Sequence, residues 1–237
     1  RNLISVGAQP LAITNCLNFG NPENPAIMGE FAECIIGIAE SSKFLNYPVV
    51  SGNVSFYNGT NKKNISPTPV IGGVGLIPKF NKTINHLIKK DGNIIILIGK
   101  TFGHLEQSTF YEEIYSIAEG QPPEINLTNE KNNGESVLEI IKKNLVESVH
   151  DVSNGGLIIA LAEMCIGSNY GLKINKPKKL TNLFSYFFGE DQSRYILEVD
   201  KKNLEKIEKI LKNNNIFYEN IGQTQKDYFE IQSELKI

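Results

Sequence analysis

At 237 residues the chain can bury a sizeable core as one large or two small domains. With 24 Lys and Arg against 26 Asp and Glu the net charge is −2, which makes a nucleic-acid groove or a membrane surface an unexpected partner. The three cysteines, Cys16, Cys34 and Cys165, are far apart and lack CxxC or zinc-ligand spacing, no apolar run is long enough to span a bilayer, and no signal-peptide pattern opens the chain, so a cytoplasmic protein with reduced thiols is expected.

The chain begins at Arg1 rather than Met, in what reads as the tail of a helix, so further sequence is expected upstream. Pro10 to Thr14 reads as a short buried strand entering the loop Asn15-Cys16-Leu17-Asn18-Phe19-Gly20-Asn21-Pro22. Asn24 is a helix cap with Pro25 at the first position, and Ile27, Phe31, Cys34, Ile35, Ile38 and Phe44 recur at helical spacing to about Leu45. Tyr47 to Val54 is a strand ending in the polar stretch SGNVS, and Pro69 to Ile77 is a second strand broken by Gly72, Gly73 and Gly75. Residues 1–88 carry 10 charged side chains and the other 149 carry 40. That shift places a domain boundary between Thr83 and Gly92, giving domains 1–88 and 89–237.

The second part opens on Asn93 to Gly99, an apolar strand of the fully buried kind. A helix is expected over Asn129 to Leu145, an amphipathic helix over Gly156 to Ile166, a strand over Arg194 to Val199, a charged helix over Lys201 to Lys212, and closing strands over Asn215 to Gln223 and Asp227 to Ile231. Alternating helices and strands give an α/β or α+β class, with the first part a mixed sheet carrying helices on one face.

Three polar clusters are candidate sites, and each has a structural alternative. In SGNVS, Gly52 permits a close backbone approach to a phosphate, Asn53 offers an amide oxygen to a hard cation such as Mg2+, and Ser55 offers a hydroxyl to a substrate; the same residues are ordinary turn formers. In His150-Asp151-Val152-Ser153-Asn154-Gly155-Gly156, the following helix N-terminus suits an anion and Asp151 its cation, whereas Ser153 or Asn154 would serve equally as a helix cap. In Gly189-Glu190-Asp191-Gln192-Ser193-Arg194, two carboxylates and an amide precede a strand and either recognise a ligand or solvate a turn. His86 and His104 stand alone and are set aside, the lysine clusters read as solvated faces, and Cys16 lacks a base nearby in sequence.

The order of these strings carries more than any one of them. The chain resembles the C-terminal half of the formylglycinamidine ribonucleotide synthetases, small bacterial form, within the aminoimidazole ribonucleotide synthetase superfamily. The resemblance rests on Ala12 to Glu23, Pro48 to Ser55, Pro67 to Gly72, His150 to Gly156 and Phe188 to Arg194. It implies an N-terminally truncated A-domain over 1–88 followed by an α/β B-domain over 89–237. It also implies an ATP- and Mg2+-dependent ligase of purine biosynthesis that phosphorylates the amide oxygen of formylglycinamide ribonucleotide and lets ammonia displace the phosphate. By resemblance Asn15 and Gly52 contact ATP, Asn53 ligates Mg2+ and Ser55 touches substrate. Asp151, Glu190, Asp191 and Gln192 would face an auxiliary nucleotide site. Asn15 and Asn154 depart from the Asp that many members carry. The resemblance places the principal catalytic residues in an N-terminal half of the same enzyme. It names a glutaminase subunit and a small bridging subunit as further partners, and leaves these residues inactive alone. The alternatives are another superfamily member, such as an aminoimidazole ribonucleotide synthetase or a small-molecule kinase, or a noncatalytic nucleotide-binding half.

Overall fold

The computed structural model describes residues 1–61, 63–78, 83–177 and 182–236. They form two compact units, Gln9–Pro78 on the one hand and Arg1–Ala8 with Lys79–Ile237 on the other. Helix α1 (Asn2–Ser5) thus belongs by packing to the larger unit, because Ile4 lies against that unit's core.

The smaller unit is a three-stranded sheet with one long helix. Strand β1 (Gln9–Asn18) is central, parallel to β2 (Val49–Ser55) and antiparallel to β5 (Thr68–Leu76). A parallel neighbour demands a crossover, and α2 (Pro25–Leu45) supplies it. Its start is as the sequence indicates: Asn24 accepts from the Ala26 amide at 3.0 Å, with Pro25 in the first turn. It stops at Asn46, which takes a left-handed φ of 51°. Strand β1, however, runs through Asn15 to Asn18, where the sequence suggested a loop. Those residues are paired on both sides, and hydrogen bonding to two neighbours overrides their preference for turns. A short hairpin of β3 (Gly59–Thr60) and β4 (Lys63–Asn64) follows β2. The core is small: Leu17, Phe19 and Ile27 are buried, with Phe31 edge-on to Phe19 at 5.2 Å and to Phe56 at 5.1 Å. Leu11, Val50, Val54, Val70, Ile71, Val74 and Leu76 on the three strands remain 46–66 % exposed.

The larger unit is a seven-stranded sheet between two helical layers. Its strand order is β12 (Leu235–Lys236), β11 (Glu230–Ile231), β8 (Gly171–Ile174), β10 (Tyr218–Gln225), β6 (Ile94–Ile98), β9 (Tyr195–Val199) and β7 (Ser148–Asp151). Only the β11–β8 pair is parallel. The uninterrupted apolar run of β6 is explained by its position, since alternate side chains enter different cores. Ile96 and Ile98 join Val137, Ile140 and Ile207 under α4 (Leu127–Lys142) and α7 (Leu204–Asn213). Ile95 and Leu97 join Leu157, Leu161 and Phe187 under α5 (Gly156–Cys165) and α6 (Leu183–Phe188). The expected charged helix from Lys201 is a 3-10 turn, Lys201–Asn203, before α7, because Asp200 accepts from the Lys202 amide and caps a tighter turn first. Helices α3 (Thr109–Tyr115) and α6 and strand β8 escaped sequence reading. Each is too short to show a period, and the LFSYFF of α6 is apolar on every side.

One buried acid ties the sheet to its entry loop. Glu198 on β9 is fully buried and accepts from the Lys89 and Lys90 amides, the Asn93 side-chain amide and the Ser148 hydroxyl, at 2.8–3.1 Å. Glu198→Gln replaces one of these acceptor oxygens by a donor that faces donors. Urea unfolding of the variant is expected to show a loss of about 1–3 kcal/mol, and an unchanged midpoint would contradict this role.

Candidate functional site

In the smaller unit, the parallel register brings two of the sequence strings side by side. Asn15 pairs with Gly52, Cys16 with Asn53 and Asn18 with Ser55. Side chains alternate across a strand, so these residues divide between two faces. Asn15 and Gly52 share the face of Leu17, which packs on α2. Asn53 and Ser55 share the opposite face with Thr14, Asn18 and Ser51, a polar surface on which Ser51 donates to the Thr14 hydroxyl at 3.1 Å. The glycine at 52 has a local cause that sequence reading did not anticipate. A Cβ there would collide with the Asn15 side-chain oxygen and lie 2.7 Å from the Asn15 carbonyl oxygen. The space beside Gly52 on that face is therefore taken by Asn15, and a ligand reaching Gly52 would meet its main chain.

Ser55 is held in place by Asn58, to whose side-chain oxygen it donates at 3.2 Å. The Asn58 amide nitrogen donates in turn to the carbonyls of Phe19 and Ser55, each at 3.0 Å, which fastens the ends of β1 and β2 together. Asn53 is exposed. Among the described residues no group of three or more His, Cys, Asp or Glu side chains could hold a metal ion. The oxygens near Asn53 are neutral amides and hydroxyls; these suit a hard cation chemically but supply no balancing charge. Cys16 has the Asn18 amide beside it, 3.5 Å from its sulfur, in place of a base. Burial pushes the Cys165 thiol up to about 11, which keeps it protonated and unreactive at neutral pH.

In the larger unit the other two strings also meet. Gly155 and Gly156 both have positive φ, 76° and 71°. A Cβ on Gly156 would stand 2.6 Å from the Gly189 carbonyl oxygen, so the turn before α5 lies directly on the loop after α6. Neither Ser153 nor Asn154 caps α5; the cap position is Gly155 and has no side chain to offer. Glu190 fills that role from 35 residues away, accepting from the Gly155 amide at 2.7 Å and the Thr109 amide, at the start of α3, at 2.8 Å. The anion expected at this helix N-terminus is thus the protein's own carboxylate.

Asp191 is likewise engaged. It is buried, and it accepts from the main-chain amides of Phe102 and Gly103 at 2.9 Å and of His104 at 3.2 Å. With three main-chain amides on its oxygens and 4 % exposure, Asp191 organises the 102–104 loop. Arg194, fully buried below it, donates to the Asp191 and Gly189 carbonyls and to the Thr101 hydroxyl. Burial pulls its guanidinium down to about 10 against the opposing pull of Asp191, so it stays charged at neutral pH. Gln192 donates to the Glu190 carbonyl at 3.1 Å.

The histidine beside Asp151 is not isolated. His150 Nε2 lies 3.0 Å from Glu163 Oε2, its Nδ1 lies 3.7 Å from Asp151, and the His86 ring is 5.0 Å away. His86 is 64 residues distant in sequence, which is why it read as a lone residue. Burial alone would disfavour the His150 imidazolium; Asp151 and Glu163 outweigh it and raise its pKa. Desolvation, His150 and Lys89 lower that of His86 despite Glu163.

The residues match two families over consecutive stretches. The AIR synthase related protein, N-terminal domain, covers residues 1–77, and the AIR synthase related protein, C-terminal domain, covers residues 90–232. The chain belongs to the AIR synthase related family. It is 52 % identical over 237 residues to the phosphoribosylformylglycinamidine synthase subunit PurL of Pelagibacter ubique, covering all of this chain and 32 % of that protein. Against the PurL of Bradyrhizobium diazoefficiens it is 44 % identical over 238 residues, again 32 % of that protein. The chain therefore spans about a third of the length of the curated relatives it matches. The fold is that of T. maritima PurL complexed with FGAR, with a TM-score of 0.75 at 18 % identity, covering all of this chain and 40 % of the other. The same fold recurs in the HypE-HypF complex, with a TM-score of 0.69 at 14 % identity, over 98 % of this chain and 78 % of that one. Among the described residues no helix is long and apolar enough to cross a membrane.

Two outcomes are expected from this geometry. Gly52→Ala forces Asn15 aside in the centre of a three-stranded sheet and should cost about 1–3 kcal/mol in chemical unfolding; full stability would show that β1 and β2 are not so closely set. In an NMR titration His150 should titrate above, and His86 below, the ordinary value of about 6.5, and Glu163→Gln should bring the His150 midpoint down. The sign for stability follows. His150 contributes stability that is complete below about pH 6.5 and is lost as pH rises through its folded value, whereas the contribution of His86 is lost as pH falls below about 6.5.

Proposed function

We propose that the chain is the C-terminal half of an ATP-dependent phosphoribosylformylglycinamidine synthase, a C–N ligase of purine biosynthesis acting in the cytoplasm. The observation that carries this reading is 52 % identity, without loss of coverage along all 237 residues, to a protein of that name. The exposed apolar strands of the smaller unit support it, since soluble proteins rarely leave such a surface uncovered. An N-terminal half of the same enzyme is the proposed cover. Residues 1–88 would then be the rest of its second A-domain and 89–237 its second B-domain. T. maritima PurL has been solved with ATP and with FGAR, the co-substrate and substrate of the proposed reaction.

In that reaction the γ-phosphoryl group of ATP passes to the amide oxygen of formylglycinamide ribonucleotide and ADP leaves. Ammonia then adds at the activated carbon and phosphate departs, giving the amidine. Phosphoryl transfer of this kind depends on positioning and on neutralising charge. This chain's part is the polar strand face. Asn53 would present its amide oxygen to Mg2+, which when bound supplies charge neutralisation at the phosphates, and Ser55, fixed by Asn58, would orient the substrate. Gly52 would meet ATP through its main chain, and Asn15 beside it would contribute an uncharged oxygen. The carboxylates for the metal would come from the N-terminal half, and ammonia from a glutaminase subunit joined through a small bridging subunit. Asp151, Glu190 and Gln192 would border an auxiliary nucleotide site.

The test is ammonium-driven, substrate-dependent ADP release. These residues alone should show none, whereas the longer protein should turn over. Asn53→Ala in the longer protein should lower kcat by about 10²-fold or more, the usual effect of removing one group that stabilises transition-state charge. Turnover by the chain alone, or an Asn53→Ala variant of full activity, would overturn the assignment.

A further inference from the structure

Arg1 is not part of any string that pointed to nucleotide or substrate, yet its side chain touches two of them. One terminal nitrogen donates to the Val152 carbonyl, in the turn before α5, at 2.7 Å. The other donates to the Gln192 side-chain oxygen, in the loop after α6, at 2.5 Å. The remaining guanidinium nitrogen, Nε, faces Glu130 of α4 at 3.7 Å, and both side chains of this pair are largely buried, at 19 % and 16 % exposure. The contact continues beyond Gln192. That side chain donates to the Glu190 carbonyl, and the Glu190 carboxylate caps both α5 at Gly155 and α3 at Thr109. Three elements that are remote in sequence are thus fixed through one planar fork.

We infer that Arg1 is a positioning residue, a guanidinium staple that sets the 150–156 turn and the 189–194 loop in register with each other and so fixes the Glu190 carboxylate at its two amides. The residue type follows from the geometry. Two acceptors of different origin, a main-chain carbonyl and a side-chain amide oxygen, lie along two divergent N–H directions, and a third direction meets a carboxylate. A guanidinium satisfies all three from one rigid plane; a lysine ammonium has the charge without the fork. The functional consequence rests on the proposed auxiliary nucleotide site. Glu190 and Gln192 would border that site, and Arg1 sets both in place, Gln192 by direct contact and Glu190 through the hydrogen bond from Gln192 to its carbonyl.

The longer protein carrying Arg1→Met or Arg1→Lys tests this, with Asn53→Ala in every sample to weaken Mg2+-dependent nucleotide binding at the strand face. Two quantities are read: hydrogen exchange at the Gly155 and Thr109 amides, and affinity for a fluorescent ADP analogue. Both substitutions should speed exchange at these two amides by about tenfold or more, the equivalent of one charge-assisted hydrogen bond, and should weaken the analogue by a similar factor. Methylguanidinium added to Arg1→Ala should restore both, a rescue that a general loss of packing would not show. Unchanged exchange in Arg1→Met, or a lysine variant as good as arginine, would overturn the staple. Faster exchange with no ADP binding by the Asn53→Ala protein that retains Arg1 would leave the staple standing and overturn the auxiliary-site reading instead.

Discussion

A buried carboxylate must be supplied with donors, and in the larger unit Glu198 and Asp191, together with the half-buried Glu190, draw theirs from main-chain amides that would otherwise be orphaned. Glu198 gathers the Lys89 and Lys90 amides at the entry to β6. Asp191 gathers the amides of the 102–104 loop, and Glu190 those at the starts of α3 and α5. Glu190 and Asp191 are adjacent in sequence and point to different loops, so a single short turn decides the placement of two others. Arg194 supports that turn from below with donors to the Asp191 and Gly189 carbonyls. The paired glycines at 155 and 156 are the steric counterpart, because a Cβ on Gly156 would meet the Gly189 carbonyl and one on Gly155 the Ile159 side chain.

The smaller unit is organised by a different limit. Three strands and one helix enclose a core of only a few side chains, and the apolar residues on the strands outnumber those they can bury. Its polar face is nevertheless well defined. Parallel pairing of β1 with β2 aligns Asn15 with Gly52 and Cys16 with Asn53, and alternation sends Asn53 and Ser55 to the side away from α2. A surface of neutral oxygens with no carboxylate among them is suited to sharing a cation or substrate with groups supplied from elsewhere, which is how the proposed ligase would use it.

Much of this was legible residue by residue. The cap at Asn24, Pro25 and the period from Ile27 to Phe44 specify α2 to within its observed ends. The five apolar residues of β6 mark a strand buried on both faces. Shorter elements were not legible: α6 is a run of aromatic and apolar residues without a period, and β8 has four residues. Asn15 to Asn18 read as a loop because asparagine favours turns, and became strand because partners on both sides paired it. In the candidate sites, residue type identified Asn53, Ser55, Asp151 and Glu190 as chemically able, but it could not separate a carboxylate that is free from one already engaged.

The sequence by itself determined the α/β class, the main helices and central strand, the family strings and their order, because periodicity, capping and composition act over a few residues. Only the tertiary structure decided that Asp191 serves the 102–104 loop, that Glu190 rather than Ser153 or Asn154 caps α5, that His86 stands against His150, and that Arg1 reaches Val152 and Gln192. Each of these joins residues between 35 and 191 positions apart. Hydrogen bonds and charges act over a few ångströms, so such pairings exist only once the chain has folded and brought their partners within reach.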